Sequence, residues 1–257
     1  VIAANRDEMS SRLWRPPARH WDDHPHVIAG IDEEAGGTWM GLNDDGLFAA
    51  VLNRPGSLGP AADKRSRGEL PLEALSHAEA REAAEALGNL DGQAYRSFNM
   101  LIADANEAFW LRSVGEGKVE VTPIGPGLSM LTANDLNDME SARIKAYLPR
   151  FRDADAPDPD RGDWGAWKAL LGSREQQAVD GERGAMNVGT GSGFMTVCSS
   201  LVALPGLEPR RRAGALHDRY LRFHVVRDVR GSPPRAVRRA EELVDLHGRH
   251  RISFGRR

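Results

Sequence analysis

The first eight residues set an apolar run, Val1-Ile2-Ala3-Ala4, against four consecutive polar side chains, Asn5-Arg6-Asp7-Glu8. The run reads as a buried strand carrying one amide, one guanidinium and two carboxylates to its end. Side chains alternate across a strand, so Asn5 and Asp7 share one face and Arg6 and Glu8 the other. Residues 36–43 and 47–53 are apolar-rich runs joined by Asp44-Asp45-Gly46, which predicts a β-hairpin. Residues 72–87 are rich in Ala and Glu and hold no Gly or Pro, which predicts one helix, stopped by Gly88-Asn89. Strands are predicted over 97–104 and 108–114, around Ala105-Asn106-Glu107, then over 118–122, where polar and apolar residues alternate, and over 128–132. Asn134 or Asp135 caps a helix predicted over 136–151. Residues 153–163, rich in Asp, Pro and Gly, read as a loop. A short helix over 164–171, a Gly-rich turn over 189–193 and a strand over 194–204 complete the pattern. Strands cluster early and in the middle and helices fall in two blocks, which favours an α+β fold with antiparallel sheets over a parallel array.

Composition bounds the class. A 257-residue chain that is 40% hydrophobic and 28% charged is globular, with room for one large domain or two small ones. No apolar stretch approaches the roughly 20 residues that a membrane-spanning helix needs. Cys198 is the single cysteine, so the chain forms no internal disulfide, which fits a reducing compartment and a cytoplasmic location. Charge divides the chain at about Pro205. Residues 206–257 hold 14 of the 34 basic and 6 of the 37 acidic residues and carry +8, while residues 1–205 carry −11. Such an arm can bind nucleic acid or an acidic membrane, but a solvated tail is the simpler reading, and no nucleic-acid partner is expected.

Several residues are candidates for chemistry. Arg6 can organise a neighbouring carboxylate or a substrate's, or form a structural ion pair at a strand end. Cys198 lies mid-strand among apolar neighbours; it is either an inert core thiol or a group beside the first strand that faces a pocket. Trp39 either fills the core or lines a pocket. Arg67 follows Ser66 at a helix start, a place to hold an anion or simply a solvated basic turn. His20, His24 and His26 are close in sequence, but their spacing fits no helical ligand pair, so no metal is expected. Residues 189–193 lack the Lys-Ser/Thr ending of a phosphate loop, and no cofactor is expected.

The string Ala4-Asn5-Arg6-Asp7-Glu8 resembles the signature of the NRDE family, also called the Transport and Golgi organisation family. Further matches follow in order: Ala35-Gly36-Gly37-Thr38-Trp39-Met40-Gly41, Asn53-Arg54, Ser66-Arg67-Gly68-Glu69-Leu70, Phe98-Asn99-Met100-Leu101, Leu131-Thr132-Ala133-Asn134-Asp135-Leu136-Asn137-Asp138 and Thr196-Val197-Cys198-Ser199-Ser200-Leu201. The resemblance covers residues 1–204. It implies an N-terminal-nucleophile-like fold, a four-layer αββα sandwich of two antiparallel sheets, over a domain of residues 1–205. In that family a Cys after the initiator Met lies one short strand upstream of the signature. This chain starts at Val1, so truncation by about 10–20 residues is expected. By the same resemblance Arg6 and Asp7 tune a thiolate and Asn134 donates to an oxyanion, with Asn99 as second choice. Asn5, Glu8, Trp39, Asn53, Arg67, Asn99 and Cys198 are the substrate-binding candidates. The implied ligand is a small-molecule amide or ester. The alternative is a non-enzymatic carrier of a hydrophobic ligand, haem or an acyl lipid. Residues 206–257 match no expected segment; a disordered tail or a shifted reading frame would produce such a switch.

Overall fold

The computed structural model describes residues 1–176 and 184–204 in full and, beyond them, the backbone of residues 222–226, 241–244 and 250–253. The chain divides into two compact units, residues 1–12 with 145–257, and residues 13–144. The first opens with strand β1 (Ile2–Met9).

The second unit holds a seven-stranded antiparallel sheet in chain order: β2 (Trp14–Ala18), β3 (Val27–Asp32), β4 (Met40–Asn43), β5 (Phe48–Asn53), β6 (Phe98–Ala103), β7 (Ala108–Ser113) and β8 (Glu120–Pro123). The hairpin across Asp44-Asp45-Gly46 forms as expected, with Leu42 opposite Phe48 and Gly46 at φ 88°. The strands β2 and β3 were not anticipated. Pro16 and Pro17 disguise β2, but they sit in an edge strand at an irregularity of its pairing with β3, between Arg15↔Ile31 and Ala18↔Ala29, where the ladder is already interrupted. Gly30 interrupts β3 because the Trp39 indole lies across it; a Cβ there would stand 2.3 Å from the ring.

Helices α1 (Glu69–Ala74) and α2 (Ala80–Gly88) take the place of the single helix predicted over 72–87. The break is imposed from outside the segment. Asn43, fully buried, donates to the carbonyls of Leu75 and His77, ending α1, and Asp104 accepts the Ala80 N–H at 2.9 Å, starting α2. The helices bury Leu70, Leu75, Ala83, Ala84 and Leu87 against Val27, Ala49, Met100, Ile102 and Leu111 on one sheet face. Burying each of the larger side chains contributes roughly 1.5–3 kcal/mol. The turn before α1 crosses the turn before β4 at two glycines. A Cβ on Gly37 would meet the Gly68 backbone at 2.6 Å, and Thr38 N–H donates to the Gly68 carbonyl at 2.9 Å.

Neither the strand predicted over 128–132 nor a helix from 136 forms. Asn137 adopts φ 57° and its side chain and backbone pin Met130, so residues 129–141 make successive turns. The helix, α3 (Ala142–Asp153), begins only after them. It is followed by α4 (Gly165–Leu171) and by β9 (Phe194–Ala203), near the positions expected for them. In the first unit β1 pairs antiparallel with β9, and β10 (Arg222–Val226), β11 (Glu241–Val244) and β12 (His250–Ser253) extend that sheet in order. Apart from these three strands, the Arg-rich tail lies outside the described residues. The α+β class and its two antiparallel sheets are as expected.

Candidate functional site

Five of the candidate residues lie together on β1 and β9. The pairing register steps from Arg6↔Cys198 to Asp7↔Thr196, so Val197 is the extra residue of a bulge between them. A bulge re-aims the side chains around it. Asp7 Oδ1 accepts a 2.6 Å hydrogen bond from Thr196 Oγ1, which in turn accepts the Val188 N–H at 2.9 Å. Thr196, itself buried, therefore fixes the Asp7 carboxylate from the neighbouring strand. Asn5 uses both amide hydrogens, on the carbonyls of Leu171 and Met186, at 3.0 and 2.8 Å. These bonds tie β1 to the end of α4 and to the segment leading into β9. The Asn5 Oδ1 is buried and accepts no hydrogen bond among the described residues. Arg6 is only 9% exposed and stands opposite Cys198, which is 2% exposed. Glu8 closes on its own strand end, accepting the Met9 N–H, and pairs with Arg12 at 3.8 Å.

A second group is built in the unit of residues 13–144, on the sheet face opposite α1 and α2. Asn99, on β6, has no exposed surface. Its Nδ2 donates to the carbonyls of Thr132 and Asn134 at 2.9 and 2.7 Å. Its Oδ1 accepts from Arg54 Nη1 at 2.7 Å and Trp110 Nε1 at 3.1 Å. Every hydrogen-bonding position of this amide is thus taken by protein. The strand register places Arg112 opposite Asn99 and Glu120 opposite Arg112. Arg112 Nη1 donates to Glu120 at 2.9 Å. Glu120 first, and then the charge of Asp135, hold the Arg112 guanidinium above its ordinary pKa. Asp135 Oδ1 stands 2.7 Å from Arg54 Nη1 and 3.2 Å from Arg112 Nε. Asn134 donates from Nδ2 to Asp138 at 3.1 Å. The Glu140 N–H, then Asn134, then the Arg54 charge hold the Asp138 carboxyl below the usual range.

The remaining candidates occupy defined places in the same unit. Trp39 packs edge-on to Trp14, with ring centroids 5.6 Å apart. Arg67 Nη1 donates to Ser57 Oγ at 2.7 Å and to the Ser97 carbonyl at 3.0 Å, latching the turn after β5 to the start of β6. Asn53 ends β5, half-buried, opposite Phe98. Of the histidines, His20 meets the Pro16 carbonyl and His26 that of Leu75. The residues that sequence reasoning passed over are Thr196, Arg54, Arg112 and Asp135. Three of them stand inside the motif strings themselves; Arg112 is marked only by its place opposite Asn99.

The sequence profile of Transport and Golgi organisation 2 matches residues 1–155, more than half of the chain. The human Transport and Golgi organization protein 2 homolog (Homo sapiens) is 34% identical over 113 residues, 42% of this chain and 40% of that protein. The Bos taurus homolog is 33% identical over 109 residues, 40% of this chain and 38% of that protein. The aligned part thus spans about two fifths of the length of these relatives. Among solved structures, penicillin V acylase from Agrobacterium tumefaciens superposes with a TM-score of 0.48 at 13% identity, over 96% of this chain and 82% of that one. A variant of conjugated bile acid hydrolase from Clostridium perfringens gives 0.46 at 12% identity, over 99% and 93%. No helix among the described residues is long and apolar enough to cross a membrane. On the match over residues 1–155, this chain belongs to the Transport and Golgi organisation 2 family.

Proposed function

We propose that this chain serves acyl transfer from a small-molecule amide or ester, with hydrolysis as the simplest outcome. The observation that carries the reading is the end of β1, where a buried Arg6 precedes an Asp7 carboxylate clamped by Thr196. A polar strand end held this firmly suits the positioning of a reacting group. A carboxylate anchored by a hydroxyl keeps one geometry, and a buried guanidinium favours a neighbouring thiolate. The nucleophile is the Cys that the family resemblance puts upstream of the signature. Its thiolate attacks the acyl carbon, the amine or alcohol leaves with a proton, and water releases the acid from the thioester. For Asn134 we propose donation to the oxyanion, since one of its two Nδ2 hydrogens remains for a ligand after the bond to Asp138. Asn5, Glu8, Trp39, Asn53, Arg67 and Cys198 are proposed around the ligand, and a cytoplasmic location accords with a chain that holds a single cysteine.

The test is a panel of chromogenic amides and esters on the full-length protein, with and without substitution of the upstream Cys by Ala. Turnover that disappears in the variant supports the reading; equal rates overturn it. Saturable binding of haem or acyl-CoA without turnover supports a carrier instead.

A further inference from the structure

We propose that Arg54 and Arg112 form a binding site for the carboxylate of a small-molecule ligand, filled in this structure by Asp135. The two guanidiniums converge on one oxygen, Asp135 Oδ1, at 2.7 and 3.2 Å. Each arginine is held in place without Asp135. Arg54 donates to the fully buried Asn99, and Arg112 donates to Glu120 across the β7–β8 pair. Removing Asp135 therefore leaves both cations where they stand. Two prepositioned guanidiniums are suited to a carboxylate, because their N–H groups are fixed in a planar fork.

Asp135 fills this place imperfectly. Among the described residues the buried Arg112 Nε has no aligned hydrogen-bond acceptor, although the Asp135 oxygen lies within ion-pair distance. Asp135 Oδ1 likewise has no hydrogen bond of good geometry. A buried N–H without an aligned acceptor is costly, so a ligand oxygen that meets it gains what Asp135 does not provide. The exposures differ in the same sense. The Arg54 side chain is 13% exposed, whereas that of Asp135 is 45% exposed, so its carboxylate can turn into water and gain hydration as it leaves. It sits in the turns of residues 129–141, where displacing one side chain leaves the Asn99 bonds to Thr132 and Asn134 intact. An ion pair that served only to fasten the loop would be redundant with those bonds. The site is argued from this geometry alone and stands whether or not the chain is an acyl transferase.

Binding of succinate to the full chain, followed by calorimetry against chloride at matched ionic strength, tests the site. Asp135→Asn keeps the side-chain shape and removes the competing charge. It is expected to bind succinate at least about tenfold more tightly than the unsubstituted protein, by loss of one charged competitor. Adding Arg54→Gln and Arg112→Gln is expected to abolish the binding. An Asp135→Asn protein that binds no more tightly, binding that survives loss of both arginines, or equal binding of chloride overturns the proposal. If that variant does not fold, the unsubstituted protein decides. The Trp110 indole N–H shares its acceptor with Arg54, so succinate should shift its NMR resonance saturably, and chloride should not. No saturable shift overturns the site.

Discussion

Asn5 and Asn99 are both part-buried or buried amides in motif strings, and they are used in opposite ways. Asn99 spends both donors on the loop carbonyls of Thr132 and Asn134 and its oxygen on Arg54 and Trp110. Asn5 spends its donors on Leu171 and Met186 but keeps a buried oxygen that meets no donor among the described residues. A saturated amide can only hold structure, whereas an amide with a spare acceptor can also meet a ligand or a water. The contrast separates residues that build the site from residues that are available to it. By its bonding Asn99 stands with the first group.

The comparison breaks first at Asn99. Asn99→Ala strands two carbonyls and two donors in a buried place, and chemical denaturation should show a loss of on the order of 3 kcal/mol or more. A loss below about 1 kcal/mol would mean that the loop does not depend on that amide. Next comes Gly37→Ala. Its Cβ meets backbone of Gly68, which cannot rotate away, so a loss of about 1–3 kcal/mol is expected by the same measurement. The three atoms nearest a Cβ at Gly30 all belong to the Trp39 ring, so pairing Gly30→Ala with Trp39→Leu should recover most of its cost, whereas Gly37→Ala has no such rescue. Thr196→Val removes the hydroxyl that serves both Asp7 and Val188, and about 1–3 kcal/mol should be lost. If acyl transfer occurs, that variant should also lower kcat more than it changes KM.

The smallest effect is set by pH. The Asp138 carboxyl is held below its unfolded value by Glu140 N–H and Asn134, so its contribution is complete above the ordinary carboxylate pKa and fades as pH falls through the lower, folded value. An NMR titration should show the Glu140 amide moving only below that ordinary value, about 4. Asp138→Asn should remove the movement; a midpoint at or above the ordinary value would contradict the hydrogen bonding described.

Much of the strand pattern was legible because each run alternates or is bounded by turn residues. The hairpin at Asp44-Asp45-Gly46 and the pair around Ala105-Asn106-Glu107 came directly from it. What was not legible came from partners remote in sequence. Nothing within 72–87 announces a break, since Asn43 and Asp104 impose it. Nothing in 128–138 announces turns instead of strand and helix, since Asn99 collects those carbonyls from another strand. Of the site, the signature on β1 could be read, and Cys198, left open between a core thiol and a place beside the first strand, is both buried and opposite Arg6. Thr196 could not be weighed, because its value rests on a bulge that moves it opposite Asp7. Arg54 and Asp135 stood in view within motif strings and gained meaning only when they met over Arg112.

The two outer strands of the seven-stranded sheet carry proline, Pro16 and Pro17 in β2 and Pro123 in β8. Proline takes backbone donors out of each outer strand and so limits the pairing that another chain could add there. This sheet is thereby guarded against edge-to-edge growth at both rims. Replacing Pro123 would leave the pairing of β8 with β7 in place, since the neighbouring Ile124 N–H makes the bond to Ala108, and would open a route to aggregation at that rim.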